Sequence, residues 1–549
     1  MNEDAGPKVL TGSFARAPWL LVVVAAFVAM TGLGMTFVGA GHTGLSADEL
    51  AHVKRLESFY KDGLFVRNNE RRFSEQGTIP PNAYVYAPAT VRVMHVFNRL
   101  AGNEGPGEAS YSGSAFIVRH YVVAAMSVLA VLSAFILAWM MLGSWGWGVV
   151  AAGALTAIPM WTGHAMFNPK DTPVAVGNTL MSVAIAGLVL AAARAGKARL
   201  LATGVATLAM IFGITLMVGT RPGMWPAVLG AYLTTLFILA VGRSIDRWVL
   251  LGLSAALVGS YAALWKLYPR IFSHPIAMLK ASVGQSTTFP HGVTRGRSYV
   301  FERTAIEWPV LLLIFFLLGT VVAGIICLRT MRTAPRRSVA FGVVGVQAFA
   351  LTIAVIATNA NVYDGLRQLL FAVPAQALLA TVGIATALTL ARRGALKWMV
   401  ASLAVAALVL PMIVQARLYP YQYAYGNVVA EMTGAHILND NWKVSFGEYV
   451  EEVQPNVKAI CPNLPPHDKP ISRNHLSDCR GGWGPLKPPW LVHWHHARFD
   501  PDSPKFYTLL RSQMPVPSNC KVVDETVRYR NFERAVMSKL LLCTQEGVL

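Results

Sequence analysis

Long apolar runs alternate with short polar stretches along most of this chain. A helix that crosses a bilayer needs about 20 apolar residues. Runs of that length lie at roughly 18–40, 117–141, 147–165, 172–193, 199–219, 222–242, 248–268, 307–328, 338–358, 368–391 and 397–417. The pattern predicts an all-α polytopic membrane protein with about eleven transmembrane helices. The first run is too long and too poor in cleavage signals for a signal peptide and reads as a retained helix.

Composition agrees. With 54% of residues hydrophobic and 14% charged, a soluble fold is a poor fit. The net charge of +19 could suggest nucleic acid. The basic residues fall instead into short clusters between spans, at Arg194/Lys197/Arg199, Arg243/Arg247, Arg329/Arg332/Arg336/Arg337 and Arg392/Arg393/Lys397. With the N-terminus inside, every one of these clusters is also inside, as the positive-inside rule requires. No nucleic-acid partner is expected. The other side receives a long first loop (41–116), four short or medium connections and a tail from 418. The chain therefore divides into a membrane module, 1–417, and a small extracytoplasmic C-terminal domain, 418–549.

Ser46–Gly63 directly follows the first span. Ser46 and Glu49 have the spacing of a capping box, and Leu50, Val53, Leu56 and Phe59/Tyr60 form an apolar stripe. A helix on the membrane surface is predicted, with Lys54, Arg55, Glu57 and Lys61 on the wet side and Gly63 as its stop. It holds the adjacent carboxylates Asp48 and Glu49 where lipid meets water. Read alone, Glu49 is a cap and Asp48 a favourable charge at a helix start.

Two further polar stretches lie at the same membrane boundary. One runs from His164 through Asn168, Lys170 and Asp171 to Pro173; turns seldom need a His, a Lys and an Asp together, and ionisable groups at membrane depth are costly. The other runs from Asn359 through Tyr363 and Asp364 to Arg367 and Gln368, where Arg367 opens a helix. An Arg suits a phosphate, although an Arg at a helix end can also simply snorkel. Arg221 reads as a lone snorkelling Arg, and Lys280, Arg295, Arg297 and Arg303 as a solvated face. Carboxylates that take a proton from a hydroxyl, beside cations that hold a phosphate, are what sugar transfer from a lipid phosphate needs.

The tail holds four of the five cysteines, Cys461, Cys479, Cys520 and Cys543, and Cys327 lies at the inner end of a span. An even set outside suits an oxidising compartment. Three pairings are open, with the nearest-neighbour set Cys461–Cys479 and Cys520–Cys543 preferred. His493, His495 and His496 form a cluster without a zinc-site spacing. Trp483, Trp490 and Trp494 suit a packed core.

These stretches together resemble a family pattern. Asp48-Glu49 after the first span, Phe167–Pro173, Tyr363–Gln368, Tyr419–Tyr423 with Asn427, and Asp440-Asn-Trp442 resemble blocks of the GT-C membrane glycosyltransferases, in order, over residues 1 to about 450. The nearest branch is that of the protein mannosyltransferases and aminoarabinose transferases. The resemblance implies an inverting transferase that uses a polyprenyl-phosphate sugar on the outer face of the cell membrane. It implies Asp48 as general base, Glu49 as its assistant, and Lys170 and Arg367 on the donor phosphate. His164, Asn168, Asp171, Tyr363 and Asp364 would support the site. The implied partners are the lipid-linked donor, a glycan, lipid or protein acceptor, and membrane lipids. A divalent metal stays open as cofactor. One departure stands out: Tyr86-Ala-Pro88 occupies the place where relatives often carry His-Pro-Pro. The rival reading is a transporter or flippase of a lipid-linked sugar, which would bind the same phosphate without needing Asp48 as a base. Transporters usually show repeated halves and broken helices near the midplane, whereas here the polar groups gather at one face.

Overall fold

The computed structural model describes residues 14–288, 297–391, 394–440, 442, 444–445, 448, 505–512, 515–516, 518 and 520–544. The chain is a polytopic helical bundle with a small C-terminal sheet. Among the described residues ten helices, from Trp19–His42 to Gly394–Leu418, are long and apolar enough to cross a membrane. The expected span at 147–165 is not one of them. It is built as two helices, Trp145–Thr156 and Pro159–Ala165. Pro159 has no N–H to continue the first helix and suits the first turn of the second. The two together rise about 30 Å and still run the length of the bundle. Near one end Trp147 Nε1 donates to Ala15 O at 2.9 Å; at the other His164 packs on Tyr423.

Asp171–Ala191 and Arg367–Leu390 are the most enclosed long helices, 83% and 94% buried over their apolar stretches. Both begin at the same end of the bundle. Polar contacts fix them to a third helix, Pro335–Ala357. Gln347 Nε2 donates to Thr179 Oγ1 at 2.8 Å and to Phe371 O at 3.1 Å, and Ser182 Oγ donates to Gln347 Oε1 at 2.9 Å. Such bonds hold helices together where apolar burial alone gives no direction. Val310–Thr330 meets Val373–Leu390 at Gly319 and Gly383, where a Cβ would fall well inside contact with Leu379 O or Phe315 O.

Beyond Leu418 the described tail is not helical throughout. Strands β1 (Lys505–Arg511), β2 (Cys520–Arg530) and β3 (Glu533–Thr544) form an antiparallel sheet in the order β1-β3-β2. Asn531, at φ 46°, makes the turn between β2 and β3. The register sets Cys520 opposite Cys543, and Cys520 is not a free thiol. Cys327 is free. Cys461, Cys479, Arg295, the three tail tryptophans named above and the histidine cluster at 493–496 lie outside the described residues.

Replacing Gly383 by Ala is expected to force the two helices apart, at a cost of about 1–3 kcal/mol. A lower melting temperature of the detergent-solubilised protein, with Gly345→Ala as the unstrained control, would show it; Gly345 has open space where a Cβ would go.

Candidate active site

Asp48 is on the helix Ala47–Asp62, which forms as its sequence predicts. Ser46 N–H donates to Glu49 Oε2 at 2.8 Å, and Gly63 ends the helix at φ 71°. The side of the helix expected to be wet is only partly so. Arg55 is buried, its guanidinium 4.6 Å from the Tyr86 ring centroid, while Lys61 is exposed. The long first loop folds over the stripe and covers part of the face expected to be wet.

The two adjacent carboxylates have different partners. Residues one apart on a helix point about 100° apart, a consequence of 3.6 residues per turn. Glu49 is buried, and its Oε1 lies 2.7 Å from His120 Nε2. His120 Nδ1 lies 3.0 Å from Ala40 O, so this pair ties the helix to the end of the first span. Asp48 points the other way. Its Oδ2 lies 2.6 Å from Lys170 Nζ and 3.3 Å from Arg367 Nη1.

Lys170 and Arg367, 197 positions apart in sequence, therefore converge on Asp48. Asn168 prepares Lys170: its Oδ1 accepts from Lys170 N at 3.2 Å and Asp171 N at 2.9 Å, turning the chain into the helix Asp171–Ala191. Arg367 follows a turn in which Asp364 (φ 58°) and Gly365 (φ 70°) are both left-handed. A Cβ at Gly365 would also meet the Glu307 carboxylate. Tyr299 Oη accepts from Gly365 N at 3.0 Å and Glu307 Oε2 from Leu366 N at 3.0 Å, which anchors the turn.

The network extends further. Arg367 Nη1 lies 3.5 Å from Asp171 Oδ2, and Nη2 lies 3.1 Å from Asp364 Oδ2. Arg221 Nη2 lies 3.2 Å from Asp171 Oδ1, so Arg221 is a member of the site and not a lone snorkelling residue. Tyr86 lies among the cations, its ring centroid 5.6 Å from Lys170 Nζ and 5.8 Å from Arg221. Arg303 also departs from a purely solvated role, donating to His436 O at 2.9 Å. His164 is buried among Phe167, Tyr423 and Trp442 and meets the network at Asn168, 3.3 Å away. The Tyr363 ring lies 5.2 Å from the Arg367 guanidinium. Lys280 and Arg297 are exposed, in keeping with a solvated face.

Burial by itself would raise the Asp48 carboxyl. Lys170 and then Arg367 outweigh it and hold the group well below the usual carboxylate range. Burial would lower the Lys170 ammonium, and Asp48 outweighs that and raises it. Both groups are therefore charged at neutral pH. Three cations set among carboxylates that already have partners suit an anion better than a further cation. Among the described residues no three His, Cys, Asp or Glu side chains gather to hold a metal ion.

Beside this network runs a mostly apolar groove of ≈ 360 Å³. Leu351, Val355, Leu369 and Phe371 form part of its wall, and Tyr86, Arg221 and Tyr363, which touch the network, line it too. A second cleft, of ≈ 30 Å³, is lined by Arg367 itself with His164, Asp364, Tyr423, Asn439 and Trp442.

No protein-family model matches the sequence, and no curated protein matches it. Solved structures are similar in fold. ArnT from Cupriavidus metallidurans in the apo state is 15% identical, with a TM-score of 0.46 over 79% of this chain and 69% of that one. The same protein bound to undecaprenyl phosphate is 16% identical, with a TM-score of 0.44 over 82% of each chain. The archaeal oligosaccharyltransferase AglB from Archaeoglobus fulgidus, in complex with an inhibitory peptide and a dolichol-phosphate, is 12% identical, with a TM-score of 0.48 over 83% of this chain and 62% of that one. Both proteins are GT-C-fold membrane glycosyltransferases. At these scores the likeness carries no argument about this chain.

Asp171→Ala removes a buried partner from Arg367 and Arg221 at once. The expected loss is about 3–5 kcal/mol, the usual cost of leaving a buried charge unpaired. Arg221→Ala should cost less, because the Arg221 side chain is 20% exposed and water screens part of its charge. Thermal unfolding of the two variants side by side checks the order.

Proposed function

We propose that this protein is a membrane glycosyltransferase that moves a sugar from a polyprenyl-phosphate donor to an acceptor hydroxyl, with inversion at the anomeric carbon. The observation that carries the reading is the convergence of Lys170 and Arg367 on Asp48, next to Tyr86 and Tyr363, which also line the apolar groove. The groove would take the prenyl chain next to the phosphate. Lys170, Arg221 and Arg367 would take the phosphate itself. Each of these cations lies at or just before the first turn of a helix, where the backbone dipole also favours an anion.

The ion pairs supply the mechanism. In the resting site Asp48 neutralises Lys170 and Arg367 and is a weak base. An arriving phosphate competes for the same donors. As they turn toward it, Asp48 loses the charges that held its pKa down, and its proton affinity rises. The acceptor oxygen attacks the anomeric carbon as its proton passes to Asp48. The bond from that carbon to the phosphate oxygen breaks, and the lipid phosphate leaves as an anion held by Lys170 and Arg367. Glu49 supports this at one remove by fixing the helix that carries Asp48. Asn168 and Asp171 set Lys170 and Arg367, Asp364 and Tyr363 steady Arg367, and His164 packs behind Asn168. The reading places the site and tail on the outer face of the cell membrane, following the basic clusters at the other helix ends.

Asp48→Asn keeps the side-chain shape and removes the proton acceptor. It should lower the melting temperature, because Lys170 loses a buried counterion, yet still insert and bind the donor, while transfer falls by about 10²–10⁴-fold. Purified protein with labelled polyprenyl-phosphate sugars and a panel of acceptors tests this. Transfer at the wild-type rate would overturn the role of Asp48. Movement of the lipid-linked sugar across vesicles without any transfer would favour a transporter.

A further inference from the structure

The segment just beyond the last long helix returns to the site. Trp442 is buried, 7% exposed, and its ring centroid lies 3.8 Å from the Arg367 guanidinium carbon. Lys170 Nζ lies 5.9 Å from the same ring. His164 meets the ring at 5.9 Å and Phe167 at 6.4 Å, so the indole is wedged in place.

Independent bonds hold the segment. Ser445 N and Oγ donate to Asp440 Oδ2 at 2.6 and 2.5 Å, and Tyr423 Oη donates to Asp440 Oδ1 at 2.7 Å. Gly44 N donates to Val444 O at 3.1 Å, next to the start of the Asp48 helix. The sheet closes the frame: Asn439 Nδ2 donates to Val536 O at 2.8 Å, Arg530 Nε to Ala424 O at 2.9 Å, and Ser445 Oγ lies 2.8 Å from Ser538 Oγ.

We propose that Trp442 is a positioning residue that fixes the plane of the Arg367 guanidinium, and that the C-terminal sheet serves the site by holding Trp442 there. The inference rests on the reading of Arg367 as a phosphate ligand. An Arg side chain has many rotamers, and its planar fork binds an oxyanion well only when its edge faces the ligand. A ring stacked on the guanidinium face leaves the edge free. The edge here already points at Asp48, Asp171 and Asp364, and Nε, buried, has no hydrogen-bond partner among the described residues. Without the ring, Arg367 would be free to swing toward Asp364, which is 25% exposed.

The test uses the full-length protein in detergent and a polyprenyl monophosphate without sugar as the probe. W442L keeps apolar bulk and removes the π face; W442F keeps a π face; R367A removes the cation. W442L should weaken binding by about 10-fold, the scale of a desolvated cation–π contact. W442F should recover most of it, at a similar melting temperature. In transfer assays the W442L defect should appear mainly in the donor KM and less in kcat. Wild-type binding by W442L, with R367A weakened, would overturn this inference and leave the phosphate reading standing. Wild-type binding by R367A would overturn both. Equal losses in W442L and W442F that follow a drop in melting temperature would show a purely structural role and overturn the inference. If W442L does not fold, W442F decides alone: binding should weaken by about 2- to 3-fold at the wild-type melting temperature, and unchanged binding overturns the proposal.

Discussion

Two buried cations that must not be left unpaired govern this site. Lys170 and Arg367 are each about 3% exposed, and each lies at the start of a helix. Burial and the positive end of the helix dipole both disfavour a cation there. Charges in such places are retained only with close partners. Asp48, Asp171 and Asp364 are those partners, and their geometry follows from the need. Asn168 bends the chain before one helix, the left-handed turn at Asp364–Gly365 precedes the other, and the first loop folds back to deliver Asp48.

The adjacent carboxylates show how the backbone divides two similar groups. Glu49 completes its own helix start and meets His120, so its oxygens are occupied in fastening the helix. Asp48 is turned toward the cations and keeps 28% of its side chain exposed. A group that is both a counterion and accessible can exchange partners with a ligand. A group fixed between a backbone N–H and a buried imidazole cannot do so without loosening the helix.

Much of this was legible in the sequence because polar groups are rare in apolar runs. Lys170, Asp171 and Arg367 stood out for that reason, and the capping box fixed the start of the Asp48 helix. Several features were not legible. Arg221 has the same local pattern as a snorkelling residue, and only the packing of Pro222–Val241 beside Asp171–Ala191 supplies its partner. Arg55 sits at a polar position of its helix, and Tyr86, 31 residues on, covers it. The break before Pro159 falls inside a run that is apolar on both sides, where hydropathy does not register a missing N–H. The sheet gave no signal either: β3 ends in the apolar run 540–543, which does not alternate.

The contact least legible of all is Trp442 on Arg367, 75 positions away. Cation–π stacking has no periodicity, and no local rule pairs a tail tryptophan with a helix-start arginine. Its place in the structure nonetheless follows from the first constraint. The three carboxylates approach the guanidinium through its edge and leave its faces uncovered. A face turned to water would leave the side chain free to swing between its carboxylates. An indole covers that face without taking any of its N–H donors, as a fourth carboxylate would. The aromatic wall thus lowers the motion of the cation while keeping its capacity for an oxyanion. A sheet fastened through Asp440, Ser445 and Arg530 is a rigid means of holding such a wall over a bundle whose own helices are already committed to one another.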